Sequence, residues 1–141
     1  MGKLGALNHV SLSSSDYEQS KKFYTFLLVD LLQYKQFREV TDWVMWIGAN
    51  GSAICISPGN KTPHHKFTPG LHHLAFNAET KEQVDEFYHK IVDFQAKNKN
   101  EKSVILDTPA EHAEYGPGYY SVYFTDPDGI KLEIATTPDY Q

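Results

Sequence analysis

Three features of this sequence predict an α+β fold made of two tandem βαβββ modules. Residues 7–12 read Leu-Asn-His-Val-Ser-Leu and residues 71–76 read Leu-His-His-Leu-Ala-Phe. Both begin with Leu, carry His third, and continue with apolar residues at alternate places, the mark of an internal repeat. Each stretch runs into a helix-start signal followed by apolar residues three and four apart. Each half then ends in two strand-like runs joined by a tight turn: Asn50-Gly51 in the first, Asp126-Pro127-Asp128-Gly129 in the second.

Taken in order, the first strand lies over residues 7–12. Ser15-Asp16-Tyr17-Glu18 then fits a capping box, and Tyr17, Phe23, Tyr24, Leu27, Leu28 and Leu31 form the apolar face of a helix ending near Val29–Gln33. Strands are predicted around Leu32–Arg38, Trp43–Gly48 and Ser52–Ser57. Pro58–Gly70, rich in Pro, Gly, Lys and His, is the connection between modules. In the second half, Thr80-Lys81-Glu82-Gln83 is the helix start. Val84, Phe87, Tyr88, Ile91 and Val92 make its apolar face, and the helix ends near Asp93–Lys97. Strands follow around Ser103–Asp107, Tyr119–Thr125 and Ile130–Thr136. The modules are thus expected over 5–58 and 70–137 of a single domain, 1–141.

A chain of 141 residues with 40% hydrophobic and 22% charged residues has enough apolar material for one core and is not a disordered or fibrous sequence. No apolar run approaches the roughly 20 residues of a membrane span, and Met1-Gly2-Lys3-Leu4-Gly5-Ala6 reads as neither a secretory leader nor a myristoylation signal. The net charge of −5 argues against a nucleic-acid partner, and Arg38 is the only arginine. A single cysteine, Cys55, allows no internal disulfide and points to a reducing, cytoplasmic compartment. Histidine is over-supplied, with seven residues.

Strand alternation says where the chemistry sits. Under a helix, every second residue of a strand faces the helix and the others face away. Val10 and Leu12 are the helix-facing set of the first strand, leaving His9 and Ser11 on the opposite face. In the fifth strand Leu74 and Phe76 face the helix together with His72, which leaves His73 and Ala75 opposite. In the last strand Leu132 and Ile134 do so, which leaves Lys131, Glu133 and Ala135 opposite. Aligning the two terminal hairpins on Gly51 and Gly129 makes Cys55 the counterpart of Glu133. His9, Cys55, His73 and Glu133 therefore hold equivalent inward positions. Two imidazoles and a carboxylate suit a divalent transition metal with coordination positions left open.

These stretches resemble the vicinal oxygen chelate superfamily, which includes glyoxalase I, fosfomycin-modifying thiol transferases, methylmalonyl-CoA epimerase, extradiol dioxygenases and bleomycin-resistance proteins. The resemblance rests on Leu7-Asn8-His9-Val10, Phe23-Tyr24, Gly70-Leu71-His72-His73-Leu74-Ala75-Phe76, and Phe124-Thr125-Asp126-Pro127-Asp128-Gly129 leading into Leu132-Glu133. It implies a cup-shaped mixed sheet of the glyoxalase-like fold with one divalent ion (Ni, Zn, Mn, Co or Fe) held by His9, His73 and Glu133. Glu133 is also the implied catalytic base. Glyoxalase I and the epimerase carry Glu or Gln where this chain has Cys55, so a three-ligand set is closer to the transferases or the dioxygenases. The resemblance further implies a small oxygenated substrate and a twofold homodimer in which His9 of one chain joins His73 and Glu133 of the other.

Ser11, Cys55, Tyr123 and Trp43 are the expected substrate-facing residues, Tyr123 because that position lines the pocket in the transferases. The segment Asp107–Gly118, with Tyr115, is long enough to close over the site or to be an ordinary connection. His64, His65, His89 and His112 read as surface residues. The function expected is a metal-dependent lyase or isomerase. The alternatives are a metal-free binding protein of the bleomycin-resistance type and an iron-dependent ring-cleaving dioxygenase.

Overall fold

The computed structural model describes residues 2–99 and 102–137. The outer ends of the expected domain span, residues 1 and 138–141, together with residues 100 and 101, lie outside the described residues. The chain divides into two compact units, Met1–Pro63 and His64–Gln141. The first contains β1 (His9–Ser14), α1 (Tyr17–Tyr24), a π-helical segment (Thr25–Leu31), β2 (Lys35–Val40), β3 (Trp43–Ile47) and β4 (Ala53–Pro58). The second contains β5 (Leu74–Asn77), α2 (Lys81–Lys97), β6 (Ile105–Glu111), a 3₁₀ turn (Ala113–Tyr115), β7 (Tyr120–Thr125) and β8 (Lys131–Thr136). The two βαβββ modules are present as the sequence predicts.

Each unit forms a four-stranded mixed sheet with the same order, β1-β4-β3-β2 and β5-β8-β7-β6. The first strand of each unit pairs in parallel with the last, and the remaining pairs are antiparallel. A parallel pair cannot be closed by a tight turn, so the helix and two strands intervene as the crossover. In the first unit Phe23, Tyr24, Leu27 and Leu28 are fully buried with Val44, Trp46 and Ile56. In the second, Val84 and Ile91 of α2 are buried with Val122, Phe124, Leu132 and Ile134. Leu132 and Ile134 are the helix-facing row that alternation assigns to the last strand. Burial of this many large side chains is the dominant stabilising contribution.

Several local expectations are corrected. The N-cap of α1 is Asp16, whose side chain accepts from Gln19 N–H, rather than Ser15. Asp competes well for this place because its carboxylate meets the exposed amides and the positive end of the helix. Thr80 caps α2 as expected, accepting from Gln83 N–H, while the Gln83 side chain takes the amide of Glu79. The first helix reaches Leu31 but widens to π geometry after Tyr24, which spacings of three and four do not distinguish. Strand β6 runs on to Glu111, four residues beyond its expected end. Val92, assigned to the apolar face of α2, is exposed.

Candidate functional site

The second sheet brings the ligand-type residues of its unit together. Glu133 lies mid-strand in β8, opposite Ala75 of β5 on one side and Tyr123 of β7 on the other. Its side chain is 1% exposed. A carboxylate taken out of water needs compensating partners, and two are present. The Tyr119 hydroxyl donates to Glu133 Oε1 in a short hydrogen bond. His73 Nε2 stands 3.1 Å from Glu133 Oε2. The His73 ring is a third exposed and packs edge-on against Tyr123 at 6.0 Å between centroids.

His73 is itself oriented from behind. Its Nδ1 lies 2.8 Å from Nδ1 of His72. A hydrogen bond between two imidazole nitrogens needs one donor and one acceptor. Desolvation lowers the His72 pKa, and the nearby His73, Lys131 and Lys66 lower it further. With His73 Nε2–H donating to Glu133 Oε2, His73 Nδ1 is left as the acceptor and His72 Nδ1–H as the donor. The expectation that His72 turns toward the helix is corrected: it is exposed and touches Phe67 at 5.7 Å between ring centroids. Strand β5 begins only at Leu74, so alternation does not yet govern residue 72.

The first sheet repeats this register with different chemistry. Cys55 lies opposite Ser11 of β1 and Met45 of β3, the places that Ala75 and Tyr123 hold around Glu133. His9 and His73 each stand two residues before the partner strand residue. His9 is exposed, with Nδ1 at 2.7 Å from the Asn8 side-chain oxygen. Ser11 is exposed and Trp43 half-buried. Cys55 is 2% exposed, and burial pushes its thiol up, with a smaller opposing contribution from a hydrogen bond to the Trp43 side chain. Among the described residues, no group of three or more His, Cys, Asp or Glu is close enough to hold a metal.

One cluster escapes sequence reasoning. His112, expected at the surface, is half-buried, with its ring 5.8 Å from Tyr115, 6.3 Å from Tyr119 and 6.0 Å from Tyr123. Its Nδ1 is 3.3 Å from Glu114 Oε1, and its Nε2 is buried without a hydrogen-bond partner. The amide of His112 bonds to the Tyr119 carbonyl, continuing the β6–β7 ladder one step beyond Glu111. The only available signal was the shared parity of Tyr119, Ser121 and Tyr123, which points these side chains to the Glu133 face. The remaining histidines stay apart: His64 Nε2 is 3.0 Å from the Leu71 carbonyl oxygen, and His65 and His89 are exposed.

Residues 6–134 match the model of the Glyoxalase/Bleomycin resistance protein/Dioxygenase superfamily. The chain belongs to this superfamily. Among its superfamily relatives is YqjT of Bacillus subtilis (strain 168), 30% identical over 131 residues, covering 91% of this chain and 96% of that protein. The metallothiol transferase FosB of Staphylococcus saprophyticus is 28% identical, with 93% of this chain and 76% of FosB covered. In fold, the chain is similar to a mutant of the fosfomycin resistance protein FosX from Listeria monocytogenes, crystallised with Mn(II) and 1S,2S-dihydroxypropylphosphonic acid. That match has a TM-score of 0.69 at 18% identity and covers 97% of this chain and 95% of FosX.

Tyr123 is the phenol directly opposite Glu133. Burial pushes its pKa up to about 12, and the negative charge of Glu133 adds to the effect. The folded state thus holds this proton more tightly than an unfolded chain, whose tyrosines ionise near 10. The resulting stability is fully present below pH ~10 and is lost as pH rises toward 12. Tyrosine-selective ¹³C NMR should find both Tyr123 and Tyr120 ionising at about 12. In Glu133→Gln, Tyr123 should move toward its ordinary value while Tyr120, raised chiefly by its hydrogen bond to Asp85, stays put. A Tyr123 that titrates identically in both proteins contradicts the contact.

Proposed function

We propose that this chain is a metal-dependent, glyoxalase-like enzyme of lyase or isomerase type, acting on a small substrate that presents two vicinal oxygens. The observation that carries this reading is the 3.1 Å approach of His73 Nε2 to the buried Glu133 Oε2. Two donors bound to one divalent ion at ~2.1 Å and near right angles stand about 3 Å apart. An imidazole nitrogen and a carboxylate oxygen are also the donors that Ni, Zn, Mn, Co and Fe share. The residues fit the group. Similarity to the metallothiol transferase FosB supports the metal-dependent part of this reading.

Bound there, a divalent ion supplies positive charge toward substrate oxygens on which negative charge develops. The side chains of this chain have separate parts. With the ion bound, His72 Nδ1 would accept from His73 Nδ1–H, so that the His73 Nε2 lone pair is the one offered. The Tyr119 hydroxyl holds Glu133 Oε1, so that Oε2 is the oxygen presented. Glu133 is the proposed base, its Oε2 exchanging between the ligand role and that of taking a proton from a carbon or hydroxyl beside the substrate's vicinal oxygens. Tyr123 remains protonated at neutral pH and offers an O–H donor to the substrate. Cys55 stays a thiol because burial disfavours its ionisation; with Ser11 and Trp43 it lines the substrate side rather than holding metal.

His9 is the proposed third donor, supplied by the partner chain of a twofold homodimer, since it holds in its own sheet the place that His73 holds in the second. The location proposed is the cytoplasm, in keeping with a single free cysteine. One observation favours a second reading, a metal-free binding protein of the bleomycin-resistance type: His73 and Glu133 already satisfy one another directly.

Elemental analysis separates the two readings. One divalent ion per chain is expected, with His73→Ala lowering affinity at least tenfold and Cys55→Ala leaving stoichiometry unchanged. Full metal content in a His9→Ala/His73→Ala double variant overturns the assignment. The dimer is tested by refolding His9→Ala and Glu133→Ala chains together. A mixed dimer restores one intact site of its two, so metal binding should return in part. A mixture that recovers nothing, or a monomer by light scattering, contradicts the shared site.

A further inference from the structure

The Glu133 face of the second sheet carries a cation, Lys131, and the register places one exposed carboxylate there, Asp107 of β6 opposite Tyr123. It stands two residues before Glu133 on β8, so both side chains leave the strand on the same side, roughly 7 Å apart at the backbone. The Lys131 ammonium lies 4.3 Å above the centroid of the Tyr123 ring, and Tyr123 is the residue directly opposite Glu133. The side chain is half-buried. None of the ion pairs among the described residues uses it, whereas Lys81 and Lys90 of the same unit are paired with Glu111 and Glu86.

The placement has an electrostatic consequence. An aromatic face steadies an ammonium without neutralising it. Two neutral imidazoles, one carboxylate and a divalent ion leave a single positive charge at the proposed centre, and Lys131 adds another. The exposed Asp107 is screened by water, whereas the half-buried Lys131 beside the proposed centre makes a positive locus that selects an anion.

We propose that Lys131 anchors an oxyanion of the substrate, so that the chelated molecule is a small acid whose carboxylate or phosphonate lies next to the vicinal oxygens. This rests on the metal-dependent reading of the same site. The long aliphatic stem of Lys131 lies along the sheet while its head group reaches the ligand. Lys131→Met keeps the stem and removes only the charge.

The test uses the metal-loaded protein and isothermal titration with three probes: oxalate, inorganic phosphate and acetohydroxamate. Oxalate keeps two oxygens outside a chelate and phosphate is an oxyanion throughout, whereas acetohydroxamate chelates through two oxygens and carries no further oxyanion. Lys131→Met should weaken oxalate, phosphate or both about tenfold, the equivalent of ~1.4 kcal/mol, with acetohydroxamate changed less than twofold and metal content unchanged. Lys131→Arg should restore most of the loss. A loss confined to oxalate identifies a carboxylate, and one confined to phosphate a phosphonate. Equal losses for all three probes, or none for either oxyanion, overturn the proposal. Failure of the metal reading is seen separately: wild-type protein then takes up no metal before any probe is added.

Discussion

The buried carboxylate of Glu133 is the constraint around which the second unit is arranged. A charged group this deep in a sheet is tolerated only with good partners, since an unpaired one costs several kcal/mol. Tyr119 and His73 are those partners, and each is fixed by something else. Tyr119 is tied through its carbonyl to the His112 amide at the end of the β6–β7 ladder. His73 is held by the imidazole behind it and by the edge of Tyr123. The sheet supplies rigidity, and the long return through residues 112–119 supplies the aromatic wall. Hydrogen-bonded neighbours hold the ligand-type pair in place, as sites of this kind require.

The duplicated register shows how one scaffold can carry two chemistries. Glu133 and Cys55 sit at the same crossing of three strands, opposite Ala75 and Tyr123 in one case and Ser11 and Met45 in the other. The acidic version recruits a phenol and an imidazole. The thiol version is simply buried, with its ionisation disfavoured, and behaves as a small apolar residue. Equivalence of backbone position therefore does not carry equivalence of role. In a superfamily with many reactions, function has to be argued from the site rather than the fold.

Periodicity made most of the fold legible. The repeated Leu-x-His start, the two turn signals and the alternation in β8 define both modules, and they put His73 and Glu133 on one face. Period arguments failed where local geometry leaves the ideal lattice. The widening of the first helix after Tyr24 keeps the same residues buried and so leaves no trace in the apolar pattern. His72 was assigned a strand face although it precedes the first hydrogen-bonded residue of β5. His112 was assigned to solvent because it lies in a polar stretch beside Glu111 and Glu114. Its burial comes from Tyr119 and Tyr123, seven and eleven residues away, which is tertiary information that no local window holds.

X-ray absorption on the zinc-loaded protein reads the donor atoms without reference to any substrate. The account predicts only nitrogen and oxygen neighbours at ~2.0–2.2 Å, with multiple scattering from two imidazoles and the remaining protein donor a carboxylate. A sulfur neighbour at ~2.3 Å would place Cys55 on the metal and contradict the account, as would a first shell without imidazole.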